Sequence, residues 1–132
     1  MPHKILVVDD EANIRKVLKM SLEKLGHYRV ATAATGEEGI KLTRQFKPDL
    51  IILDIRLPDM NGIDVLCYLK SEFPLSKTPV LMLSGLDDED IRQQCHHEYC
   101  EEYVDKPFVI QDLLDRIQSI LTRPQTPAKP ES

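Results

Sequence analysis

The 132-residue sequence has no apolar run long enough to cross a bilayer, no excess of basic residues and only three cysteines. Each absence excludes a class of protein. Met1-Pro2-His3-Lys4 leads into only four apolar residues, Ile5 to Val8, far short of a signal-peptide core or a membrane span, so the chain reads as cytoplasmic with no membrane partner. Its 22 acidic and 17 basic residues leave a net charge of −5. That is the wrong sign for a segment that holds phosphate backbones by its overall field, so direct nucleic-acid binding is not expected. Cys67, Cys95 and Cys100 are odd in number and fall in segments of helical pattern, which argues for reduced thiols and against a disulfide framework. There is also no tandem repeat of about 20 to 50 residues, the mark of a solenoid.

One cluster invites a metal reading. CHHEYC, residues 95–100, packs two Cys and two His into six positions. Residues five apart on a helix point about 140° apart, so one short helix cannot close a tetrahedron around zinc. Zinc is therefore not expected there.

Short apolar runs alternate with stretches of helical period along the rest of the chain. Residues 4–8, 28–33, 50–53, 80–84 and 103–104 read as strands. Ile14, Val17, Leu18, Leu22 and Leu25 mark one face of a helix, and Ile110, Leu113, Leu114, Ile117 and Leu121 mark a face of another. Residues 36–46, 62–71 and 88–98 are weaker helices, placed partly because parallel neighbouring strands need a crossover. Five strands alternating with five helices predict an α/β fold, an open parallel sheet covered on both faces. Residues 1–122 make one domain, large enough to bury roughly two-thirds of the surface its unfolded chain exposes. In residues 123–132, Pro124, Pro127 and Pro130 recur among small and polar residues with nothing apolar to bury, as in a linker or disordered tail.

LVVDDE and LIILDIR are both apolar strands that stop at an aspartate. In a parallel sheet their C-terminal ends share one edge, the edge where open α/β sheets bind ligands. Asp9, Asp10 and Asp54 are thus expected to converge on one cleft, with Ser84 at the end of the fourth strand and Lys106 just after the fifth. Carboxylates crowded at a half-buried edge raise one another's pKa unless a cation neutralises them. Oxygen ligands with room for water suit Mg²⁺. With the cation bound, one carboxylate can attack a phosphoryl group while Lys and Ser contact its oxygens. Singly, each residue has a plainer reading. Asp9 and Asp10 can cap the helix that begins near Glu11, Ser84 can be a loop hydroxyl, and Lys106 a solvated charge. Their joint placement at the ends of four strands favours the site. Asp87, Asp88, Glu89 and Asp90 sit at a helix start and read as cap and dipole partners.

VVDDE at the first strand, LDIRLPDMNG at the third, LSG at the fourth and YVDKPF at the fifth resemble the receiver domain of two-component response regulators. The resemblance runs from Lys4 to about Thr122. It implies a flavodoxin-like sheet of strand order 2-1-3-4-5. It also implies that Asp54 accepts a phosphoryl group from a histidine kinase or phosphotransfer protein, making the chain a signalling switch. Asp9 and Asp10 match the acid pair, Asp10 being the expected direct Mg²⁺ ligand, and Arg56 falls where the family lends a backbone carbonyl to the metal. Ser84 matches the switch hydroxyl, Tyr103 the switch aromatic and Lys106 the lysine that pairs with the phosphoryl group. The Lys106-Pro107 bond matches one that is cis in this family. One departure precedes Tyr103: HHEYCEE stands where many receivers carry a Gly-Ala-Asp-like turn, which bears on the output face.

Arg92, Glu102, Asp112 and Arg116 resemble cross-subunit ion-pair positions of receivers that precede winged-helix DNA-binding domains, although Gln118 stands where those relatives usually carry a base. On that pattern Arg92 would meet Asp112, and Glu102 would meet Arg116, across a two-fold axis in a weak homodimer favoured by phosphorylation. Two other classes are less consistent with the residues. A phosphatase of the haloacid dehalogenase type requires a second acid two positions after its nucleophile, where this chain has Arg56. A phosphorylation-independent binding module would keep the acid pocket only as a relic. The chain is accordingly expected to be a phosphoacceptor that assists its own phosphorylation and dephosphorylation, and not a turnover enzyme.

Overall fold

Two apolar strands of this chain have no polar position to present to solvent, and the fold buries them completely. In the computed structural model, which describes residues 2–72, 77–85 and 102–122, β3 (Leu50–Asp54) and β4 (Val80–Ser84) are buried at every position. With β1 (Lys4–Val8), β2 (Arg29–Ala33) and β5 (Glu102–Asp105) they form one parallel sheet of order β2-β1-β3-β4-β5. The helices among the described residues are α1 (Ala12–Gly26), α2 (Gly36–Phe46), α3 (Gly62–Lys70) and α4 (Ile110–Thr122). The expected 88–98 helix, Arg92, the acids at 87–90, the 95–100 cluster and the Pro-rich tail lie outside the described residues.

Strand periodicity splits the core in two. Ile5, Val7, Leu50, Ile52, Leu81 and Leu83 face α1 and α4, where Leu18, Leu22, Leu113 and Ile117 meet them. Leu6, Val8, Ile51, Leu53, Val80 and Met82 face the other way, onto Ile63, Val65, Leu66 and Leu69 of α3. Alternate residues of a strand point to opposite faces, so an unbroken apolar strand is what a sheet covered on both sides needs.

The expected face of α1 needs correction. Leu18 and Leu22 are buried and Ile14 packs beside them, but Val17 is 47 % and Leu25 63 % exposed. Val17 lies about 100° round the helix from Leu18, off the narrow stripe that a single sheet contact covers. Leu25 sits in the last turn before the chain reverses into β2. The face of α4 also shifts slightly: Ile120 is buried, while Ile110 and Leu121 pack only at its margin.

Local signals fix the turns. The Thr35 side chain accepts from the Glu38 N–H to cap α2, and Asn61 accepts from Ile63 N–H to cap α3. Gly62 allows the chain to fold back on the end of β3. A Cβ there would lie 2.3 Å from the Asp54 carbonyl oxygen and 2.8 Å from the Ile55 Cα.

Candidate functional site

The register of the sheet brings the polar residues together. Val8 is paired with Leu53, Asp54 with Leu83 and Ser84 with Asp105, so Asp9, Asp54, Ser84 and Lys106 all emerge at the C-terminal edge. Backbone bonds carry the ladder one residue further, from Asp9 N–H to the Ala33 carbonyl and from Lys106 N–H to the Ser84 carbonyl. These anchors fix the backbone at the site independently of its side chains.

Lys106 is the centre. Its Nζ lies 3.2 Å from Asp9 Oδ2, from Glu11 Oε1 and from Asp54 Oδ2. Asp9 is fully buried and Asp54 is 4 % exposed. Asp9 Oδ1 accepts the Glu11 N–H at 2.8 Å, whereas its Oδ2 has the ion-pair contact with Lys106 but no hydrogen-bond partner. Asp54 Oδ1 takes a long bond, 3.3 Å, from the Arg56 N–H.

Burial dominates the electrostatics. Loss of solvent, reinforced by the Asp9 charge, pushes Asp54 up to about 6 against the pull of Lys106. Burial raises Asp9 as well, and its bond from the Glu11 N–H and the Lys106 charge only partly oppose this. For Lys106 burial works the other way, but the Asp54 and Asp9 carboxylates outweigh it and hold the ammonium above its ordinary range. One ammonium is thus insufficient to make two buried carboxylates comfortable as ions.

Asp10 is exposed, beside this pair. Asp9, Asp10 and Asp54 each offer one carboxylate oxygen within 4.8 Å of the others. An all-oxygen donor set open to water on the Asp10 side, with one buried oxygen lacking a hydrogen bond and two acids whose charge is resisted, fits a hard divalent cation such as Mg²⁺. Helix capping accounts for only part of the acid pair: Asp9 Oδ1 takes the N–H of Glu11, the N-cap of α1, while the N-cap makes no side-chain cap bond of its own and the first turn holds no acid.

The remaining expected residues fall nearby in different ways. Ser84 is fully buried, and its hydroxyl donates to Asp105 Oδ1 at 3.3 Å. The Tyr103 ring packs against the α3-side core, with its hydroxyl oxygen shielded from solvent. Arg56 forms an isolated bridge with Asn61 that closes the loop after β3. The Lys106-Pro107 bond is cis. Three further residues escaped the sequence reading. Glu11, the N-cap of α1, is a third acid directly after the strand-end pair, and that position points it toward the same lysine. Asp105, the register partner of Ser84, could have been found from the position just before the lysine. Arg15 reaches back from α1 to donate to the Asp9 carbonyl at 2.7 Å, a contact with no sequence signal.

Residues 5–118 match the family model described as the response regulator receiver domain. The chain belongs to that family. This receiver domain is 43 % identical over 124 residues to a protein named "Probable transcriptional regulator ycf27" from Cyanidium caldarium, covering 94 % of this chain and 48 % of that one. It is 39 % identical over 128 residues to the alkaline phosphatase synthesis transcriptional regulatory protein PhoP of Bacillus subtilis (strain 168), covering 97 % and 52 %. The chain therefore spans about half the length of the curated relatives it matches. Among solved structures, a CheY-like response regulator receiver domain protein from Methanospirillum hungatei JF-1 superposes with a TM-score of 0.83 at 30 % identity, covering 92 % of this receiver domain and 94 % of that chain. The fold is the one expected, and two-component signalling is the context in which the acid site has to be read. No helix among the described residues is long and apolar enough to cross a membrane.

Of the expected output residues, Glu102, Asp112 and Arg116 lie among the described residues. Arg116 reaches Glu102 and Asp112 of its own chain, the latter at 3.0 Å. These three residues share a face, on β5 and α4.

Proposed function

We propose that this receiver domain is a phosphorylation-activated switch in which Asp54 accepts a phosphoryl group from the phosphohistidine of a histidine kinase or phosphotransfer protein. The observation that carries the reading is the placement of Asp54: nearly buried, 3.2 Å from Lys106 and within the three-carboxylate cluster. An Asp54 carboxylate oxygen attacks the phosphorus, the phosphorus–nitrogen bond breaks, and the imidazole leaves with its electron pair and takes up a proton. An acyl phosphate on Asp54 results. With its pKa near 6 the acid is mainly ionised at neutral pH, as a nucleophile must be.

Asp9, Asp10, Asp54 and the Arg56 backbone carbonyl would hold Mg²⁺, which supplies charge stabilisation to the phosphoryl oxygens. Lys106 is already beside Asp54 and pairs with another of those oxygens, which relieves the competition among its three carboxylates. Ser84 has to exchange its Asp105 acceptor for a phosphoryl oxygen, and Tyr103 follows into the space that Ser84 vacates. This makes activation a population shift, driven only by the difference in phosphoryl contacts between two states.

Residues 1–122 would act as the switch. Output through Arg92, Glu102, Asp112 and Arg116 as a homodimer would require Arg116 to trade acids of its own chain for those of a partner. Such a trade between similar contacts gives a weak, salt-sensitive dimer.

Incubation with Mg²⁺ and acetyl phosphate tests the central step. Intact mass should rise by one phosphoryl group in wild type and not at all in Asp54→Ala. Undiminished labelling of that variant would overturn the assignment.

A further inference from the structure

The loop that follows the phosphoacceptor strand is anchored at two ends. Its base is closed by the Gly62 N–H donating to the Ile55 carbonyl at 2.6 Å and by the Arg56–Asn61 bridge. Its tip is held elsewhere, on α2. Asp59 Oδ1 accepts the Gly36 N–H at 2.8 Å and Asp59 Oδ2 accepts the Glu37 N–H at 3.0 Å. These two bonds hold the Asp59 carboxyl below the usual carboxylate range, the Gly36 bond contributing most. Met60 supports the same contact, lying so close over Gly36 that a Cβ there would meet its side chain at 2.5 Å.

Only Leu57 and Pro58 separate Asp59 from Arg56. Pro58 has a fixed φ, and the residue before a proline is confined to extended conformations, so this arm is stiff. The two restricted residues leave few torsions to absorb a displacement of Asp59 before it reaches Arg56. Arg56 in turn gives its N–H to Asp54 Oδ1 through a bond that is already long, at 3.3 Å.

We infer that Asp59 is a positioning residue for the cation site: by gripping the N-terminus of α2 it holds the Leu57-Pro58 arm, and with it the Arg56 backbone, in register with Asp54. The inference rests on the reading above in which Asp9, Asp10, Asp54 and the Arg56 carbonyl bind a divalent cation. It adds that the α2 terminus is part of the support of that site, although α2 contributes no ligand.

The experiment is calorimetric titration of Mg²⁺ alone into the full chain, with the Arg56 backbone amide followed by NMR. Asp59→Ala should weaken Mg²⁺ binding about tenfold, the low end of what outer-sphere supports contribute, and should shift the Arg56 amide. Thr35→Ala removes a different cap of the same helix, the bond from Glu38 N–H, and should change neither quantity. Asp59→Asn keeps one of the two acceptor oxygens and loses the charge, so its affinity should fall between those of wild type and Asp59→Ala. Equal weakening by Asp59→Asn and Asp59→Ala would assign the effect to charge, and equal weakening by Thr35→Ala would assign it to general loosening of α2. Either result overturns the role of Asp59, as does full affinity in Asp59→Ala. A wild-type chain that takes up no Mg²⁺ would instead overturn the cation reading itself.

Discussion

Lys106 and Arg116 each sit between acids drawn from separate elements, yet the two networks differ in kind. Around Lys106 the Asp9 and Asp54 side chains are 0 % and 6 % exposed, and around Arg116 the Glu102 and Asp112 side chains are 24 % and 52 % exposed. At the surface, water pays most of the cost of charge. The bonds from Asp112 and Glu102 simply raise the Arg116 pKa, which titrates far above any working pH. At the sheet edge, desolvation wins over attraction, and the carboxyl of Asp54 resists ionisation despite an ammonium 3.2 Å away. One cation among acids therefore gives a relaxed clasp at the surface and, with more acids and deeper burial, a site short of positive charge at the sheet edge.

That contrast can be pushed hardest through shape. Gly62→Ala places a methyl group against backbone atoms at the end of β3, which cannot rotate away, so a loss of about 3 kcal/mol or more is expected in a denaturant melt. A variant of near wild-type stability would mean that the loop under Asp54 is looser than described. Asp10→Asn separates ligand from support. Asp10 is exposed, so folding stability should change by less than about 0.5 kcal/mol, while Mg²⁺ affinity should fall by about tenfold or more. Unchanged Mg²⁺ affinity would remove Asp10 from the cation site. The smallest effect belongs to the surface clasp: Arg116→Ala should cost less than about 1 kcal/mol, and less again in high salt. A larger, salt-insensitive loss would erase the distinction between the two networks.

Much of this arrangement was legible in the chain itself. Apolar strands ending in Asp9 and Asp54 gave both the parallel sheet and the convergence of the acids at its C-terminal edge, because burial on two faces and strand direction follow from local pattern. Lys106 and Ser84 followed by the same logic. Pairings that depend on side-chain reach did not follow. Glu11 turning to Lys106, Ser84 turning to Asp105, and Asp59 bonding to an N-terminus 22 and 23 residues away are tertiary choices with no period to announce them. Val17 and Leu25 show the converse error, since an apolar residue at helical spacing is buried only if something lies over it. Arg116 pairs with Glu102 and Asp112 of its own chain, and pattern alone does not say which acids a surface arginine will meet.

The central claim is that the acid cluster is short of positive charge until a cation arrives, and the stability of Asp54→Asn against pH tests it most directly. The folded chain holds the Asp54 proton more tightly than the unfolded chain, whose value is near 3.8, so this group's contribution to stability falls as pH rises from there to about 6 and stays lost above it. An amide cannot ionise. Without metal, Asp54→Asn should therefore match wild type near pH 4 and be more stable above pH 7, by on the order of 3 kcal/mol given about 1.4 kcal/mol per pH unit. Saturating Mg²⁺ should stabilise wild type far more than the variant and close the gap. An Asp54→Asn chain that is less stable than metal-free wild type at pH 7.5, or a gap that Mg²⁺ leaves untouched, would contradict the account.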